Sequence, residues 1–256
     1  MTAAPAQPQP ANAPSLRTVM VSGASRGIGR AIAERLLADG HRVSAGVRDP
    51  NALAAAADTT VLRSQAPDRL LIQPYEASAA DGDRRGPRAW VEATTARWGG
   101  VDAVVHCAGV FSRVGLRFAD GEEEEINRVL AVNLMGPWRL SRAVWPQLVA
   151  SGDGRVLSLV SMSGKRVKGR LAAYSASKFA LLALCQAMRN EGWDDGIRVT
   201  AICPSWVNTD MAAAVTAMPH DAMTQPDDLA TSVSHLLSLP AAAVPFEFNV
   251  NCQLEA

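Results

Sequence analysis

The sequence predicts an α/β fold in which a doubly wound parallel sheet carries helices on both faces. Three observations predict it. Short apolar runs alternate with longer stretches of helical periodicity along the 256 residues, the pattern of βαβ units. The first apolar run leads into a glycine turn and then a helical pattern, as a dinucleotide-binding start does. Residues suited to proton transfer and ligand contact follow successive runs, where such a sheet binds its ligands.

The elements follow in order. Residues 1–15 are rich in Ala, Pro and Gln and have neither a cationic start nor an apolar core. They are expected to form a disordered tail and not a secretory signal. Thr18–Ser22 is apolar and bounded by Gly23, so it reads as a buried strand. Gly23-Ala-Ser25-Arg26-Gly27-Ile28-Gly29 follows, with helical spacing of Ile28, Ala31, Ile32, Leu36 and Leu37. Its glycines let backbone approach a pyrophosphate, and the helix N-terminus favours that charge. The spacing is GxxxGxG, whereas the common dinucleotide fingerprint is GxGxxG. Further strands are predicted at Arg42–Gly46, Leu70–Gln73, Asp102–His106, Arg155–Val160, Ile197–Ile202 and Phe246–Val250. Helices are predicted at 50–57, 87–98, 123–150 with a break at Gly136-Pro137, 172–191 and 227–238. Right-handed crossovers then give about seven strands in one Rossmann-like domain over residues 16–256.

Composition narrows the function. Lys plus Arg and Asp plus Glu each number 25, which gives no support to a nucleic-acid or membrane-surface partner. No apolar run is long enough to span a bilayer. Cys107, Cys185, Cys203 and Cys252 show no CxxC spacing, so zinc and thioredoxin-like chemistry are not expected. Three of them fall in strand-like runs and read as buried reduced thiols. The cytoplasm is the expected compartment.

The chemistry centres on residues 161–178. Tyr174 and Lys178 stand four apart at the start of a helical run, hence on one helix face. A nearby cation lowers a phenol from its ordinary pKa of about 10, and a tyrosine so tuned exchanges protons near neutrality. Ser161, at the end of the fifth strand, is placed to hold a substrate oxygen at the same site. Alone, the Tyr-x-x-x-Lys pair also fits an ordinary surface helix. Arg48, Gly109 and Pro204 follow the second, fourth and sixth strands, so all these residues converge on one crevice.

On these residues the chain resembles the classical short-chain dehydrogenase/reductase family from about Thr18 onward. The resemblance rests on Gly23, Gly27 and Gly29, Ala108-Gly109, Asn133, Ser161, Tyr174 with Lys178, and Pro204 with Thr209, all in family order. It implies Tyr174 as general acid or base, Lys178 as its tuner and a contact of the nicotinamide ribose, and Ser161 as the group orienting the substrate oxygen. Asn133 would hold a water in a proton relay to Lys178. Gly23, Ser25, Arg26, Gly27, Ile28 and Gly29 would border the pyrophosphate, with Arg48, Ala108, Gly109, Pro204, Val207 and Thr209 as further cofactor contacts. The implied activity is hydride transfer between a nicotinamide and a carbonyl/alcohol pair. A catalytically silent dinucleotide-binding regulator is the alternative. An epimerase or dehydratase of the extended relatives is disfavoured by the short stretch after Pro204. Assembly as a homotetramer, with a dimer as fallback, is expected from apolar surface on the helices at 123–150 and 172–191, including Phe179, Leu181, Leu182, Leu184 and Met188.

Where NAD-preferring members carry Asp after the second strand, this chain has Val47, followed by Arg48, with Arg26 in the glycine turn. Guanidinium groups grip phosphate with paired hydrogen bonds, so NADP is expected over NAD and reduction over oxidation. Asp49 stands beside Arg48 as an alternative partner. Other departures are His106-Cys107 in place of two asparagines, Ser205 in place of a glycine, and Tyr75 in place of an acid near the adenine. His106 is expected to be a structural hydrogen bonder, and Tyr75 either stacks on the adenine or packs in the core. Glu122–Glu125 suits a helix start. Lys165, Arg166, Lys168 and Arg170 read either as solvated loop charge or as contacts for an anionic substrate or partner. Trp206–Gln225, with Met211, Met218 and Met223, is expected to form an adaptable lid.

Overall fold

A computed structural model describes residues 16–51, 68–213 and 218–254. Its seven strands are β1 (Thr18–Ser22), β2 (Arg42–Val47), β3 (Leu70–Pro74), β4 (Ala103–His106), β5 (Arg155–Leu159), β6 (Arg198–Pro204) and β7 (Glu247–Val250). All pair in parallel in the order β3-β2-β1-β4-β5-β6-β7. Register is set by alternation. Val19 and Val21 of β1 face one core while Met20 faces the other. Likewise Ala103 and Val105 of β4 oppose Val104. Both faces are covered, so the strands read as near-continuous apolar runs.

One face is covered by α1 (Gly27–Ala38) and α6 (Pro226–Ser238), which pack against each other. Pro226 opens α6, and Gln225 and Asp228 form a reciprocal capping box, which satisfies two otherwise orphan amides. The other face carries α2 (Pro87–Trp98), α4 (Gly136–Ala150) and α5 (Ala172–Gly192), through residues such as Trp90, Leu140 and Leu181. Ahead of α4 lies α3 (Glu123–Leu130), whose first turn holds Glu123, Glu124 and Glu125 as the macrodipole favours. The expected break at Gly136-Pro137 takes the form of a π turn over Ala131–Met135, so the axis continues with one wide turn. The tail at 1–15, and the helix expected at 50–57 beyond Asn51, lie outside the described residues.

Packing corrects two expectations and decides a third between its alternatives. Leu181, Leu184 and Met188 are buried within the single chain because α5 lies along the sheet, so they offer no spare apolar surface. Trp138 and Phe179 do, at 51% and 42% exposure. Tyr75 packs in the core, its ring centroid 4.6 Å from that of Trp90, and does not line the crevice. Among the thiols, Cys185 lies in α5 and Cys203 in β6, both buried, while Cys107 and Cys252 follow strands and are half-buried. Among the described residues no group of side chains is arranged to hold a metal ion, and no helix is long and apolar enough to cross a membrane.

Candidate active site

The strand order reverses between β1 and β4, and the crevice beyond their carboxyl ends is where such sheets bind ligands. A cavity of about 280 Å³ opens there. Ile28, Gly109, Ser161, Tyr174, Lys178 and Thr209 all line it, although they come from four separate connections between strands. Pro204 and Val207 line it as well. Tertiary structure thus brings Ser161, Tyr174 and Lys178 into one cavity with Gly109, Pro204, Val207 and Thr209, while Asn133 and Ala108 do not line it.

The glycine turn lies beside the cavity and contributes Ile28 to its lining. Gly23 has φ of +69°, and a Cβ there would sit 2.9 Å from Ala108 Cα. A Cβ on Gly29 would meet the Gly23 carbonyl oxygen at 2.4 Å, so the helix start is pressed against the turn. No side chain caps the N-terminus of α1, leaving its first amides for an anion. These features fit a dinucleotide pyrophosphate. Ser25 and Arg26 are exposed beside it. The next turn of chain, after β4, is held by a residue that motif reading misses. Ser22 Oγ accepts from the amides of Cys107 and Ala108 at 3.0 and 3.1 Å. His106 lies below, buried, with Nε2 2.9 Å from Ser141 Oγ. Burial pushes its imidazole down to about 3. It therefore stays neutral and structural, as its strand-end position predicts.

The arginines do not converge as expected. Arg48 is exposed after β2, with Val47 buried before it. Arg26 instead reaches across the crevice to Asp210, with Nη1 to Oδ2 at 3.0 Å. Both side chains of that pair are exposed, so water and salt weaken it. Asp49 accepts from the Asn51 amide at 2.9 Å, closing a local turn. Arg85, which the sequence does not single out, donates to the Arg48 carbonyl oxygen at 2.8 Å and brings a second guanidinium to this edge.

Tyr174 enters the cavity from the first turn of α5, ring edge to Phe111 with centroids 5.0 Å apart. Its phenol is hydrogen-bonded to the Ser161 side chain. Burial holds the phenol above its usual value, opposed by that bond. Lys178 shares the helix face, but its ammonium is drawn to the Leu159 carbonyl oxygen at 2.8 Å and lies 5.7 Å from the Tyr174 ring centroid. The expected lowering of the phenol by Lys178 is therefore not found. Tyr174 is held protonated, and burial lowers Lys178 itself to about 8.

Asn133 sits buried in the π turn, and both its amide atoms are hydrogen-bonded. Val110 N donates to its Oδ1 at 2.8 Å, while Nδ2 donates to Val110 O and to Ser177 Oγ at 2.9 and 3.1 Å. Ser177 in turn donates to the Tyr174 carbonyl oxygen at 2.6 Å. Asn133 thus ties the loop after β4 to the helix that carries Tyr174.

Ser161 has φ of 109° and ψ of 153°, the single positive-φ residue other than glycine among the described residues. That region is essentially glycine's, and occupying it costs about 1–3 kcal/mol. The Ser163 amide donates to Ser161 Oγ at 3.1 Å, and the Gly164 amide donates to the Ser161 carbonyl oxygen at 2.9 Å, fixing the kink. The kink aims the hydroxyl at Tyr174.

Of the lid methionines, Met211 lines the cavity, whereas Met223 is buried elsewhere and the Met218 sulfur lies 3.7 Å from Cys252 Sγ. Residues 214–217 lie outside the described residues. Of the basic loop, Lys165 pairs with Glu247 of β7, and Arg166 and Lys168 line the cavity.

Comparison with known proteins identifies the family. Agropine synthesis reductase of Rhizobium rhizogenes is 33% identical over 93% of this chain, which spans 53% of that relative's length. Acetoacetyl-CoA reductase of Allochromatium vinosum is 29% identical, with 86% of this chain and 90% of that protein covered. An alcohol dehydrogenase from the archaeon Thermococcus sibiricus, solved with 5-hydroxy-NADP, superposes with a TM-score of 0.79 at 27% identity, covering 92% of this chain and 96% of that one. The family described as short chain dehydrogenase matches residues 17–220. This chain belongs to the short-chain dehydrogenase/reductase family of oxidoreductases.

Proposed function

We propose that the protein is an NADP(H)-dependent reductase of ketones or aldehydes. The observation that carries the reading is the Tyr174 phenol, kept protonated and hydrogen-bonded to Ser161, in one cavity with Lys178 and the start of α1. A bound nicotinamide supplies the hydride to the carbonyl carbon. Ser161 and Tyr174 donate hydrogen bonds to the carbonyl oxygen and stabilise the charge that develops there. Tyr174 then passes its proton to that oxygen and yields the alcohol. Lys178, cationic below about pH 8, offsets the negative charge left on the phenolate. Asn133 positions the site through Val110 and Ser177, as its hydrogen bonds require.

The preference for NADP rests on Arg48 at the end of β2, on the absence of a carboxylate at Val47, and on Arg85 beside Arg48. Arg26 reinforces it once the exposed Asp210 pair gives way to phosphate. The exposed Trp138 and Phe179 support a homotetramer, with a dimer as the smaller alternative. Four unpaired cysteines suit the reducing cytoplasm.

The test is oxidation of NADPH and NADH against a carbonyl panel. Turnover with NADPH ahead of NADH is expected, and Arg48→Ala should shrink that preference by roughly ten- to a hundred-fold, the worth of one charged contact. A wild type that prefers NADH, or equal losses with both cofactors, would remove the basis for NADP. Cofactor binding without turnover of any carbonyl or alcohol would leave a silent binder.

A further inference from the structure

Beyond its reacting groups, the catalytic cavity offers a substrate mainly hydrocarbon. Its walls include Phe111, Met162, Leu171, Trp206 and Met211, and no Asp or Glu lines it among the described residues. Several polar side chains of the lining are already occupied. Ser205 Oγ accepts from the Cys252 amide at 3.1 Å and donates to Cys252 Sγ at 3.3 Å. Thr209 Oγ1 donates to the Val207 carbonyl oxygen at 3.4 Å, and Lys178 Nζ to that of Leu159 at 2.8 Å. Arg166 has an interaction of its own. Lys168 and Gln253 are exposed, so water satisfies them. Trp206 and Met211 are in the opposite condition. They follow β6 and line the cavity, yet stand 36% and 50% exposed. Large apolar side chains left open beside a reaction site are surface for a ligand to bury.

We propose that the substrate is an uncharged ketone or aldehyde with a hydrocarbon body of several carbons, and that Trp206 and Met211 set specificity by packing against that body while Ser161 and Tyr174 hold the carbonyl. The proposal rests on the reductase reading. Each methylene buried against such walls is worth about four-fold in affinity. The indole of Trp206 gives a broad flat face, and the unbranched thioether of Met211 adapts its shape to what it meets. A hydroxyl or carboxylate on the same body would exchange water for hydrocarbon, and burial without a partner is costly.

The experiment is a substrate series, read as kcat/KM with NADPH and with NADH. Butan-2-one, hexan-2-one and octan-2-one grade the hydrocarbon. Two pairs of similar shape grade polarity: pentan-2-one against 4-hydroxybutan-2-one, and 5-methylhexan-2-one against 4-oxopentanoate. Efficiency should rise about four-fold per methylene until the cavity is filled, and the hydrocarbon member of each pair should lead by about ten-fold or more. In Trp206→Ser/Met211→Ser the rise should flatten, octan-2-one losing far more than butan-2-one, whereas Trp206→Phe/Met211→Leu should keep it. A flat series in the wild type, a polar member leading its pair, or an unchanged slope in the serine variant would overturn the proposal. The wild-type series decides by itself if the serine variant does not fold. If no carbonyl in any arm is reduced, the reductase reading fails separately. Equilibrium dialysis of octan-2-one against wild type and serine variant then decides the apolar site. Binding lost in the variant upholds it, and no binding, or equal binding, overturns it.

Discussion

Tyr174→Phe isolates the acid from the rest of the site. The ring remains, and so does its edge-on contact with Phe111 at 5.0 Å between centroids. What leaves is one hydroxyl whose partner is the Ser161 side chain. Ser161 keeps the Ser163 amide as a donor at 3.1 Å, so the stability cost should stay near that of a single hydrogen bond, about 1 kcal/mol. The rate cost is larger because the variant has no proton to give. A positioned general acid contributes about 10²–10⁴-fold, which is roughly 3–5 kcal/mol of barrier at about 1.36 kcal/mol per decade. Steady-state NADPH oxidation measures the rate, cofactor fluorescence the binding, and urea unfolding the stability. The expected pattern is turnover lost with binding and stability nearly kept. Near-normal turnover would refute Tyr174 as the acid. Parallel losses of binding, stability and turnover would show that the hydroxyl acts as a structural group.

Three further outcomes follow from packing and charge. Gly29→Ala places a Cβ 2.4 Å from the Gly23 carbonyl oxygen, so it should cost about 1–3 kcal/mol in urea unfolding and weaken cofactor binding; unchanged stability would mean the turn yields easily. For His106 the ring is depressed from 6.5 to about 3, so between those values the unfolded chain binds a proton that the folded chain does not. Its contribution is intact above about pH 6.5 and declines as pH falls toward 3, by up to about 1.4 kcal/mol per pH unit. His106→Asn should flatten that stretch of the stability curve, and parallel curves for the two proteins would reject the assignment. Light scattering should give a tetramer or dimer that Trp138→Lys with Phe179→Asp dissociates, and a wild-type monomer at micromolar concentration would reject the interface.

Much of the molecule was legible because its rules are local. Strands buried on both faces must be apolar throughout, which marked β1 to within a residue and the others nearly as well. A turn pressed between a strand and a helix needs glycine, which marked Gly23 and Gly29. Spacing along a helix put Tyr174 and Lys178 on one face. Partners remote in sequence were not legible. Nothing near Lys178 foretells that its ammonium prefers the Leu159 carbonyl to the phenol, or that Arg26 reaches Asp210, 184 residues away. Ser22 carries no motif, yet it fastens the turn that the family's asparagines would otherwise occupy. The burial of Leu181, Leu184 and Met188 depends on where α5 lies on the sheet, which periodicity alone leaves open.

The kink at Ser161 sets folding and chemistry against each other at one residue. Its φ of 109° is comfortable for glycine and uncomfortable for anything with a Cβ. A selection that rewards robustness alone would therefore drift toward Ser161→Gly, relaxing the chain and discarding the hydroxyl in one step. The protein so obtained would be a better-behaved scaffold and a poorer catalyst. A serine held against the preference of its own backbone is the kind of strain expected where a side chain is needed for function.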